Sequence, residues 1–355
     1  MRKYSVIGLM SGTSLDGLDI AYCTFQLKSG KWSYVLNQAE TIKYSKVWYE
    51  KLKNAHLLNS EELLMLHHEY GALLGNKINA FSRKHSLKNI DFVSSHGHTI
   101  FHNPKQGFTF QLGSGASVAA TCGIKVICDF RTLDVALKGQ GAPLVPIGDK
   151  LLFPEYDFCL NLGGYSNISF QYKQRRIAFD ICPVNTALNY LASAKGRDFD
   201  RNGEMAQSGN VNAELLAKLG SLGYYSKKYP KSLGREWLSA YFLPVVDATP
   251  ISVEDKLATV TEHITAQLAK DILNNSKKGK ILVTGGGAHN GFLISRLRDR
   301  LPSHEIVIPS KSIINYKEAL VFAFLGALKM EGKVNALSSV TGAIKDSSGG
   351  VLFIP

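Results

Sequence analysis

Residues 6–21 read VIGLMSGTSLDGLDIA, and this stretch decides the fold prediction. An apolar run enters, a loop of small, hydroxylic and glycine residues follows, and a second apolar run leaves. The glycines at positions 8, 12 and 17 permit backbone geometry that a Cβ would block and let main-chain N–H groups approach an anion. The pattern predicts a β-hairpin whose turn binds phosphate. A plain glycine-rich turn between two core strands is the alternative.

The side chains of this loop add polar chemistry to the predicted turn. Ser11, Thr13 and Ser14 supply hydroxyl donors, and Asp16 and Asp19 could orient a metal ion or its waters. No lysine follows the glycines, and the exit has the pattern of a strand. The segment therefore differs from the G-x-x-x-x-G-K-[ST] phosphate loop, which opens a helix.

Length and composition predict a cytoplasmic enzyme of two domains. The chain has 355 residues, is 45% hydrophobic and carries a net charge of +12. Its lysines and arginines are dispersed, which disfavours nucleic-acid binding. The sequence has the pattern of neither a signal peptide nor a membrane span. Five scattered cysteines without a C-x-x-C pair favour a reducing compartment over disulfides or zinc.

Hydrophobic periodicity predicts similar elements in the two halves of the chain. A capping-box pattern at Asn59 and Glu62 and an acidic pattern after Ser252 mark the starts of two long helices. We expect strands at 4–25 (a hairpin), 32–42, 91–95, 125–128, 156–172 (a second hairpin), 177–180 and 281–283. We expect three further helices: one that begins at about residue 185, one that follows the glycines at 285–287 and ends at about residue 296, and one over residues 317–330.

Glycine turns that follow strands in both halves indicate a duplicated α/β fold with a cleft. We expect a first lobe over residues 1–137, with residues 336–355 packing back on it, and a second lobe over residues 138–335. The segment 137–146, rich in glycine and proline, is the expected hinge between them.

Taken together, these motifs resemble those of the anhydro-N-acetylmuramic acid kinases, members of the actin, sugar kinase and Hsp70-like ATPase superfamily. The resemblance covers nearly the whole chain, and the matching segments occur in order at residues 8–19, 95–99, 129–131, 140–146, 161–168, 230–236, 285–290 and 340–343.

The resemblance implies a duplicated ribonuclease H-like fold of two lobes with a central nucleotide-binding cleft. It implies an enzyme that uses ATP and Mg²⁺ to open the ring of 1,6-anhydro-N-acetylmuramic acid hydrolytically and phosphorylate O6. The product, N-acetylmuramic acid 6-phosphate, belongs to peptidoglycan recycling, and the family suggests a homodimer. A kinase for another amino sugar or sugar acid, or a non-catalytic nucleotide-binding sensor, is the alternative.

The same resemblance implies residue roles. Asp180, after a predicted strand, matches the family's catalytic base. The alternative is a structural aspartate that caps a helix or lies in a turn. Asp16 would lie near the metal. The expected nucleotide contacts are Gly12, Thr13, Ser14, Leu15, Asp16, Gly17, Leu18 and Asp19 for the β- and γ-phosphates, Gly163 and Gly164 as a second phosphate turn, and Gly285, Gly286 and Gly287 beneath adenosine.

Three further residues are expected to contact the sugar. The guanidinium of Arg131 matches a lactyl carboxylate, His96 would hydrogen-bond the sugar or a phosphoryl oxygen, and Glu318 resembles a substrate-binding glutamate. The alternatives are a surface salt bridge, a histidine that bonds nearby backbone, and a glutamate in the first turn of a helix.

The chain departs from the family pattern directly after Asp180. The family reads Thr-Gly-Pro-Gly-Asn, whereas residues 181–185 here read ICPVN, and His98 replaces a glutamine. Because a valine does not readily adopt positive φ, we expect a reshaped turn at Val184. Cys182 is either a reactive thiolate near a helix N-terminus or a packed thiol. These changes leave the sugar specificity open.

Overall fold

Twelve strands form two separate sheets in the computed structural model, which describes residues 2–355. The strands are β1 (Arg2–Ser11), β2 (Leu18–Lys28), β3 (Lys31–Ile42), β4 (Phe92–Asn103), β5 (Phe108–Leu112), β6 (Val126–Cys128), β7 (Phe158–Leu162), β8 (Tyr165–Tyr172), β9 (Arg175–Pro183), β10 (Gly279–Thr284), β11 (His304–Val307) and β12 (Val351–Phe353).

Fourteen α-helices of very different length connect and cover these strands. They are α1 (Lys46–Asn54), α2 (Ser60–Lys84), α3 (Gly115–Cys122), α4 (Thr132–Ala136), α5 (Val145–Leu152), α6 (Asn185–Ser193), α7 (Glu204–Ser208), α8 (Ala213–Gly220), α9 (Arg235–Trp237), α10 (Leu243–Asp247), α11 (Val253–Asn275), α12 (Gly291–Arg300), α13 (Lys311–Met330) and α14 (Ser338–Thr341). Among residues 2–355, no helix has the length and apolar character that a bilayer crossing requires.

The two sheets repeat one topology. In the first, an antiparallel meander β3-β2-β1 continues into the parallel strands β4 and β6; in the second, the meander β9-β8-β7 continues into the parallel strands β10 and β11. The same strand order and the same directions in both halves confirm the predicted duplicated ribonuclease H-like α/β fold. β5 and β12 are additions to the first sheet only.

The N-terminal unit comprises residues up to Phe153 together with Tyr316–Pro355. Its sheet packs against α2, which begins with the predicted capping box: Asn59 accepts from the Glu62 N–H, and Glu62 accepts from the Asn59 N–H. The predicted apolar face of α2 is buried at Leu66, Tyr70, Leu74, Ile78 and Phe81. Burying such side chains contributes about 1.5–3 kcal/mol each, which makes this face a main source of the unit's stability.

The C-terminal unit, Pro154–Asn315, is built around α11. Ser252 caps this helix by accepting from the Asp255 N–H at 3.0 Å, as the acidic pattern predicts. The five inward positions predicted for the helix are all fully buried: Leu257, Val260, Ile264, Leu268 and Ile272.

The borders of the units fall at 153/154 and 315/316, whereas the sequence predicted lobes of 1–137 and 138–335. Helix α5 explains the first difference, because its Gly148 lies against Val321 within the N-terminal unit. The glycine-rich segment 137–146 also lies inside this unit, where Gln140 donates its N–H to the Thr341 carbonyl at 2.8 Å. Strand β12 pairs antiparallel with β6, so the last residues complete the first sheet.

Candidate functional site

The turn between β1 and β2 is an open loop with an unusual backbone. Leu15 has φ of 59°, a left-handed conformation that is uncommon for a residue with a side chain, and its N–H donates to the Gly12 carbonyl at 3.2 Å. The Ser14 hydroxyl donates to the Asp16 carboxylate at 3.0 Å. Thr13, Ser14 and Asp16 are exposed, so the polar groups of the turn face solvent.

Two residues of the segment 6–21 also take part in packing. Gly8 lies under α13, where a Cβ would be 2.2 Å from the Ala319 carbonyl oxygen, so this glycine serves helix packing. Leu18 is buried in the core of the N-terminal unit, which leaves only its main chain to contact a nucleotide.

Three carboxylates of the N-terminal unit influence one another. Burial raises the pKa of Asp19 to about 6, the Thr41 hydroxyl at 2.5 Å lowers it, and the charges of Asp16 and Glu318 raise it again. Part of Glu318 is accessible to solvent, but its carboxyl group is partly desolvated by the surrounding protein. This desolvation raises the pKa of Glu318, and the positive charge of Arg131 lowers it. Shared repulsion of this kind favours a nearby cation.

A chain of hydrogen bonds begins where β1 ends. The Ser11 hydroxyl lies 2.7 Å from the Tyr44 hydroxyl and 2.8 Å from Nδ1 of His98, and Tyr44 lies 2.6 Å from the Tyr70 hydroxyl. Burial lowers the pKa of His98 to about 4, so this imidazole is neutral at pH 7. The histidine that departs from the family pattern thus hydrogen-bonds the residue at which the β1–β2 turn begins.

His96 and Arg131, both predicted to bind the sugar, contact each other. Arg131 Nε donates to His96 Nε2 at 3.0 Å, and His96 Nδ1 lies 2.9 Å from the Gly97 carbonyl. Because a carbonyl only accepts, the imidazole proton is on Nδ1 and the ring is neutral. Burial and the Arg131 charge hold the pKa of His96 well below its usual range.

The Arg131 guanidinium has a second protein partner. Nη1 donates to the Gly141 carbonyl at 2.6 Å, and the Gly141 N–H donates to Asp134 at 2.8 Å. Burial lowers the pKa of Arg131 to about 10, against the charges of Glu318 and Asp134, so it remains cationic at neutral pH. The bonds to His96 and Gly141 fix the plane of the guanidinium.

A cavity of about 250 Å³ opens beside His96 in the N-terminal unit. Its walls include Gln111, Ser114, Asp129 and Phe353. Asp129 has φ of 61°, and strained residues of this kind cluster at functional sites. The volume is smaller than that of most sites for drug-sized ligands, so the cavity has room for only part of such a ligand.

In the C-terminal unit, the turn Gly163-Gly164 joins β7 to β8 and contacts the start of α6. The Gly164 carbonyl accepts from the N–H groups of Val184 and Thr186, at 2.9 and 3.2 Å, and from the Thr186 hydroxyl at 2.8 Å. The carbonyls of this turn are thus directed to the helix, so anion binding would use its N–H groups.

The glycines after β10 lie beside this turn. Gly285 has φ of 81°, and a Cβ there would be 2.8 Å from the Leu162 carbonyl carbon; a Cβ on Gly287 would be 2.7 Å from the Leu162 side chain. Asn185 on α6 donates to the Leu162 carbonyl at 3.0 Å. The structure thus brings Gly163-Gly164 and Gly285–Gly287 together at the carboxyl ends of the neighbouring parallel strands β7 and β10, where ligands bind in α/β sheets.

Asp180 lies within β9, opposite Asn167, rather than at the end of the strand. Its Oδ2 accepts from the Leu233 N–H at 2.9 Å, and its main-chain carbonyl accepts from the Tyr224 hydroxyl at 2.6 Å. Burial raises the pKa of Asp180, and the bond from Leu233 lowers it. Asp180 caps no helix, since the N-cap of α6 is Val184.

The altered segment after Asp180 is accommodated without positive φ. Val184 has φ of −124°, and α6 starts at Asn185 as predicted. Cys182 is fully buried and lies 3.4 Å from the Ser166 hydroxyl, and burial raises its pKa to about 12. Cys182 is a packed thiol, which settles the alternative left by the sequence.

The sequence did not indicate several groups around these residues. The Tyr224 hydroxyl belongs to no recognisable pattern near Asp180, and the partners of Ser11 come from distant positions. Leu233 lies in the matching segment 230–236 and Asn185 in the segment after Asp180, but neither motif indicates which group it would contact.

Comparison with known proteins identifies a family. The family model described as anhydro-N-acetylmuramic acid kinase matches residues 4–355. Proteins named anhydro-N-acetylmuramic acid kinase from Shewanella woodyi and Aliivibrio fischeri are 35% and 34% identical to this chain, each over 99% of both sequences.

Solved structures are more distant. The Acidaminococcus fermentans (R)-2-hydroxyglutaryl-CoA dehydratase component A has a TM-score of 0.46 at 13% identity and covers 93% of this chain and 100% of its own. A ROK family glucokinase from Streptomyces griseus, in complex with glucose and AMPPNP, has a TM-score of 0.39 at 12% identity, covering 90% and 98%.

Proposed function

Because the chain belongs to the anhydro-N-acetylmuramic acid kinase family, we propose that it opens 1,6-anhydro-N-acetylmuramic acid with water and phosphorylates O6 with ATP. The match over residues 4–355 carries this proposal. The oxygen of water bonds to C1, the C1–O6 bond breaks, and O6 takes the γ-phosphoryl group as ADP leaves. The products are N-acetylmuramic acid 6-phosphate, ADP and one proton.

In this proposal Asp180 is the general base that takes the proton of the attacking water. A base must be ionised to act, and it must be oriented by its surroundings. The Leu233 N–H at 2.9 Å favours the ionised carboxylate and fixes its orientation. Burial opposes ionisation and increases the basicity of the carboxylate, which suits proton transfer near neutral pH.

Three glycine-containing turns bind ATP in the proposal. The loop of residues 12–17, which is exposed at Thr13, Ser14 and Asp16, contacts the β- and γ-phosphates through N–H groups and the hydroxyls of Thr13 and Ser14. Gly163-Gly164 forms the second phosphate turn, and Gly285–Gly287 lies beneath adenosine. Leu15, in a strained conformation, is consistent with a turn that is shaped for a ligand.

The residues of the first turn fit a magnesium ion. Mg²⁺ prefers oxygen ligands, usually one or two carboxylates together with substrate phosphates. Asp16 offers an exposed carboxylate, and Asp19 and Glu318 add negative charge nearby. The described residues 2–355 contain no cluster of three or more His, Cys, Asp or Glu that could hold a metal without such phosphates. Bound there, Mg²⁺ would neutralise charge that develops on the phosphoryl oxygens.

Arg131, His96 and Glu318 contact the sugar in the proposal. Since Arg131 Nε and Nη1 already donate to His96 and Gly141, a lactyl carboxylate would bind Nη2 and share Nη1. The cavity beside His96 accepts a substituent of the ring. We further propose that the protein is a homodimer and acts in the cytoplasm.

The test is a single reaction in ¹⁸O-water. The enzyme is incubated with Mg-ATP and 1,6-anhydro-N-acetylmuramic acid, quenched early, and the product is analysed by mass spectrometry. One heavy oxygen is expected, at C1, with none in the phosphate group. Unlabelled N-acetylmuramic acid 6-phosphate placed in the same water measures spontaneous exchange at C1. A phosphorylated product that still contains the anhydro ring, or no phosphorylation at all, would contradict the proposal.

A further inference from the structure

A segment between two short helices of the C-terminal unit supplies a main-chain donor to the Asp180 carboxylate. Residues 227–234 connect the 3₁₀ helix Gly223–Ser226 to α9. The Leu233 N–H donates to Asp180 Oδ2 at 2.9 Å, and two residues earlier the Lys231 carbonyl accepts from the Asp180 N–H at 3.3 Å. The segment therefore lies along β9, and its main chain binds both the carboxylate and the N–H group of Asp180.

Lys231 anchors this segment through its side chain as well. Its Nζ lies 5.3 Å from the ring centre of Phe179, the neighbour of Asp180, and 5.0 Å from the ring centre of Tyr224. The same Nζ lies 3.8 Å from Asp271 Oδ2 on α11, and the Lys231 side chain is only 6% exposed. A partly desolvated ammonium between two rings and a carboxylate has few alternative positions.

Tyr224 connects the anchor to the same residue. Its ring faces the Lys231 ammonium, and its hydroxyl donates to the Asp180 carbonyl at 2.6 Å. Other ionisable groups lie near this region. Burial raises the pKa of Tyr165 on β8, as do the negative charges of Asp180 and of Glu236 on α9, and the positive charge of Arg235 on α9 lowers it. None of these side chains donates a hydrogen bond to the Asp180 carboxylate, so the Leu233 N–H is its donor among residues 2–355.

We propose that Lys231 is a positioning residue for the reaction: its side chain, held by Phe179, Tyr224 and Asp271, keeps the Leu233 N–H on the Asp180 carboxylate. This inference rests on the proposed role of Asp180 as the base. Lys231 itself contacts no reacting atom; it acts by fixing the orientation and proton affinity of Asp180.

The pH dependence of kcat/KM tests the proposal in the full-length enzyme. In Lys231→Met the segment loosens and the Leu233 hydrogen bond weakens, so the ionised form of Asp180 loses a stabilising donor. The acidic limb of the profile is expected to move to higher pH by about one unit, and kcat is expected to fall about tenfold at pH 7. The KM for ATP is expected to stay unchanged.

Lys270→Met is the matched control, because Lys270 also acts on Asp271 but its Nζ reaches the Tyr225 carbonyl at 3.5 Å instead. Its acidic limb is expected to coincide with that of the wild type. The double variant Lys231→Met, Asp271→Asn removes the partly buried carboxylate that the single change leaves without its partner, and it is expected to show the same shift as Lys231→Met. Lys231→Arg, which keeps the cation, is expected to restore part of the displacement.

The outcomes separate this inference from the proposed function. If Asp180→Asn abolishes turnover but the acidic limbs of Lys231→Met and the double variant match the wild type, the positioning role is wrong and the base remains. If Asp180→Asn keeps full turnover, the base assignment fails and the inference fails with it.

Discussion

The turns that join the first two strands of each unit occupy equivalent places in one topology, yet they differ in almost every chemical respect. The turn at residues 12–17 is long, exposes hydroxyl and carboxylate groups, and contains a strained leucine. The turn Gly163-Gly164 is tight, and its carbonyls accept hydrogen bonds from the start of α6. The first turn is therefore free to rearrange around a ligand, whereas the second is fixed by the protein.

The ionisable groups differ between the units in the same sense. The N-terminal unit has three carboxylates that repel one another: Asp16, Asp19 and Glu318. The C-terminal unit places a single carboxylate, Asp180, on its third strand and orients it with one N–H group. The two copies thus share the hydrogen-bonding order of the sheet, while three neighbouring carboxylates lie on one copy and a single carboxylate with a main-chain donor lies on the other.

The largest effect is expected when the isolated carboxylate of the C-terminal unit is removed. Asp180→Asn keeps the volume and the Leu233 contact but cannot take a proton, so turnover is expected to fall about 10²- to 10⁴-fold. ATP affinity, measured by calorimetry, is expected to remain unchanged. The exposed Asp198→Asn in the same unit serves as the control. Turnover close to that of the wild type would show that proton transfer uses another group.

The rigidity of the second turn can be tested through the glycines beside it. Gly285→Ala forces a Cβ into a left-handed backbone and to within 2.8 Å of the Leu162 carbonyl carbon, and we expect a loss of about 1–3 kcal/mol in the free energy of unfolding. In Gly286→Ala the nearest atom is Asn185 Nδ2 at 3.3 Å, so a change within about 0.5 kcal/mol is expected. Urea denaturation compares the two variants, and equal stabilities would contradict a turn fixed by packing.

The raised pKa of Asp19, caused first by burial and then by repulsion from Asp16 and Glu318, predicts a pH-dependent stability. The folded-state pKa of Asp19, about 6, exceeds its unfolded value, so the folded protein binds the proton more tightly and loses stability as pH rises from about 4 to 6. Asp19→Asn removes this loss. It is expected to be more stable than the wild type at pH 7 by about 1–2 kcal/mol, after allowance for solvent screening.

Urea unfolding at a series of pH values measures this difference, which should disappear below about pH 4. Asp198→Asn in the other unit is expected to show no such trend. A gain in Asp19→Asn that is constant from pH 4 to 7 would mean that the carboxylate is not perturbed in the folded state.

The smallest effect is expected at the thiols. Cys182 in the C-terminal unit is fully buried with its pKa raised to about 12, whereas Cys122 in the N-terminal unit is half-buried. Iodoacetamide at pH 8 is therefore expected to leave Cys182 unmodified while Cys122 reacts slowly, as peptide mass spectrometry would show. Modification of Cys182 at the rate of Cys122 would indicate that the segment after Asp180 opens.

Much of the fold could be predicted because its signals are local. Capping residues at Asn59 and Ser252 and a periodic apolar face define the two long helices, and glycines after apolar runs mark both hairpins. β12 could not be predicted in this way, since its three residues become a strand only by pairing with β6. The unit borders were displaced for a similar reason, because α5 and residues 316–335 are assigned to the N-terminal unit by packing rather than by pattern.

The site divides along the same line. Asp180, Arg131 and the glycine turns could be identified from sequence motifs, and the structure adds the hydrogen-bond partners and packing neighbours of each. The partner of Asp180 is a main-chain N–H 53 residues further along the chain, and a main-chain donor leaves no trace in the residue type. The packing of Gly8 against α13 and the burial of Leu18 depend equally on distant neighbours, which the motif does not show.

The pairing of β12 with β6 gives the two units different histories during synthesis. The C-terminal unit is one continuous stretch, Pro154–Asn315, and can fold as soon as it leaves the ribosome. The N-terminal unit emerges first but lacks α13 beneath Gly8 and the strand beside β6 until residues 316–353 have been made. The half of the protein that is translated first is therefore the last to be finished, and its unpaired β6 edge needs protection during that interval.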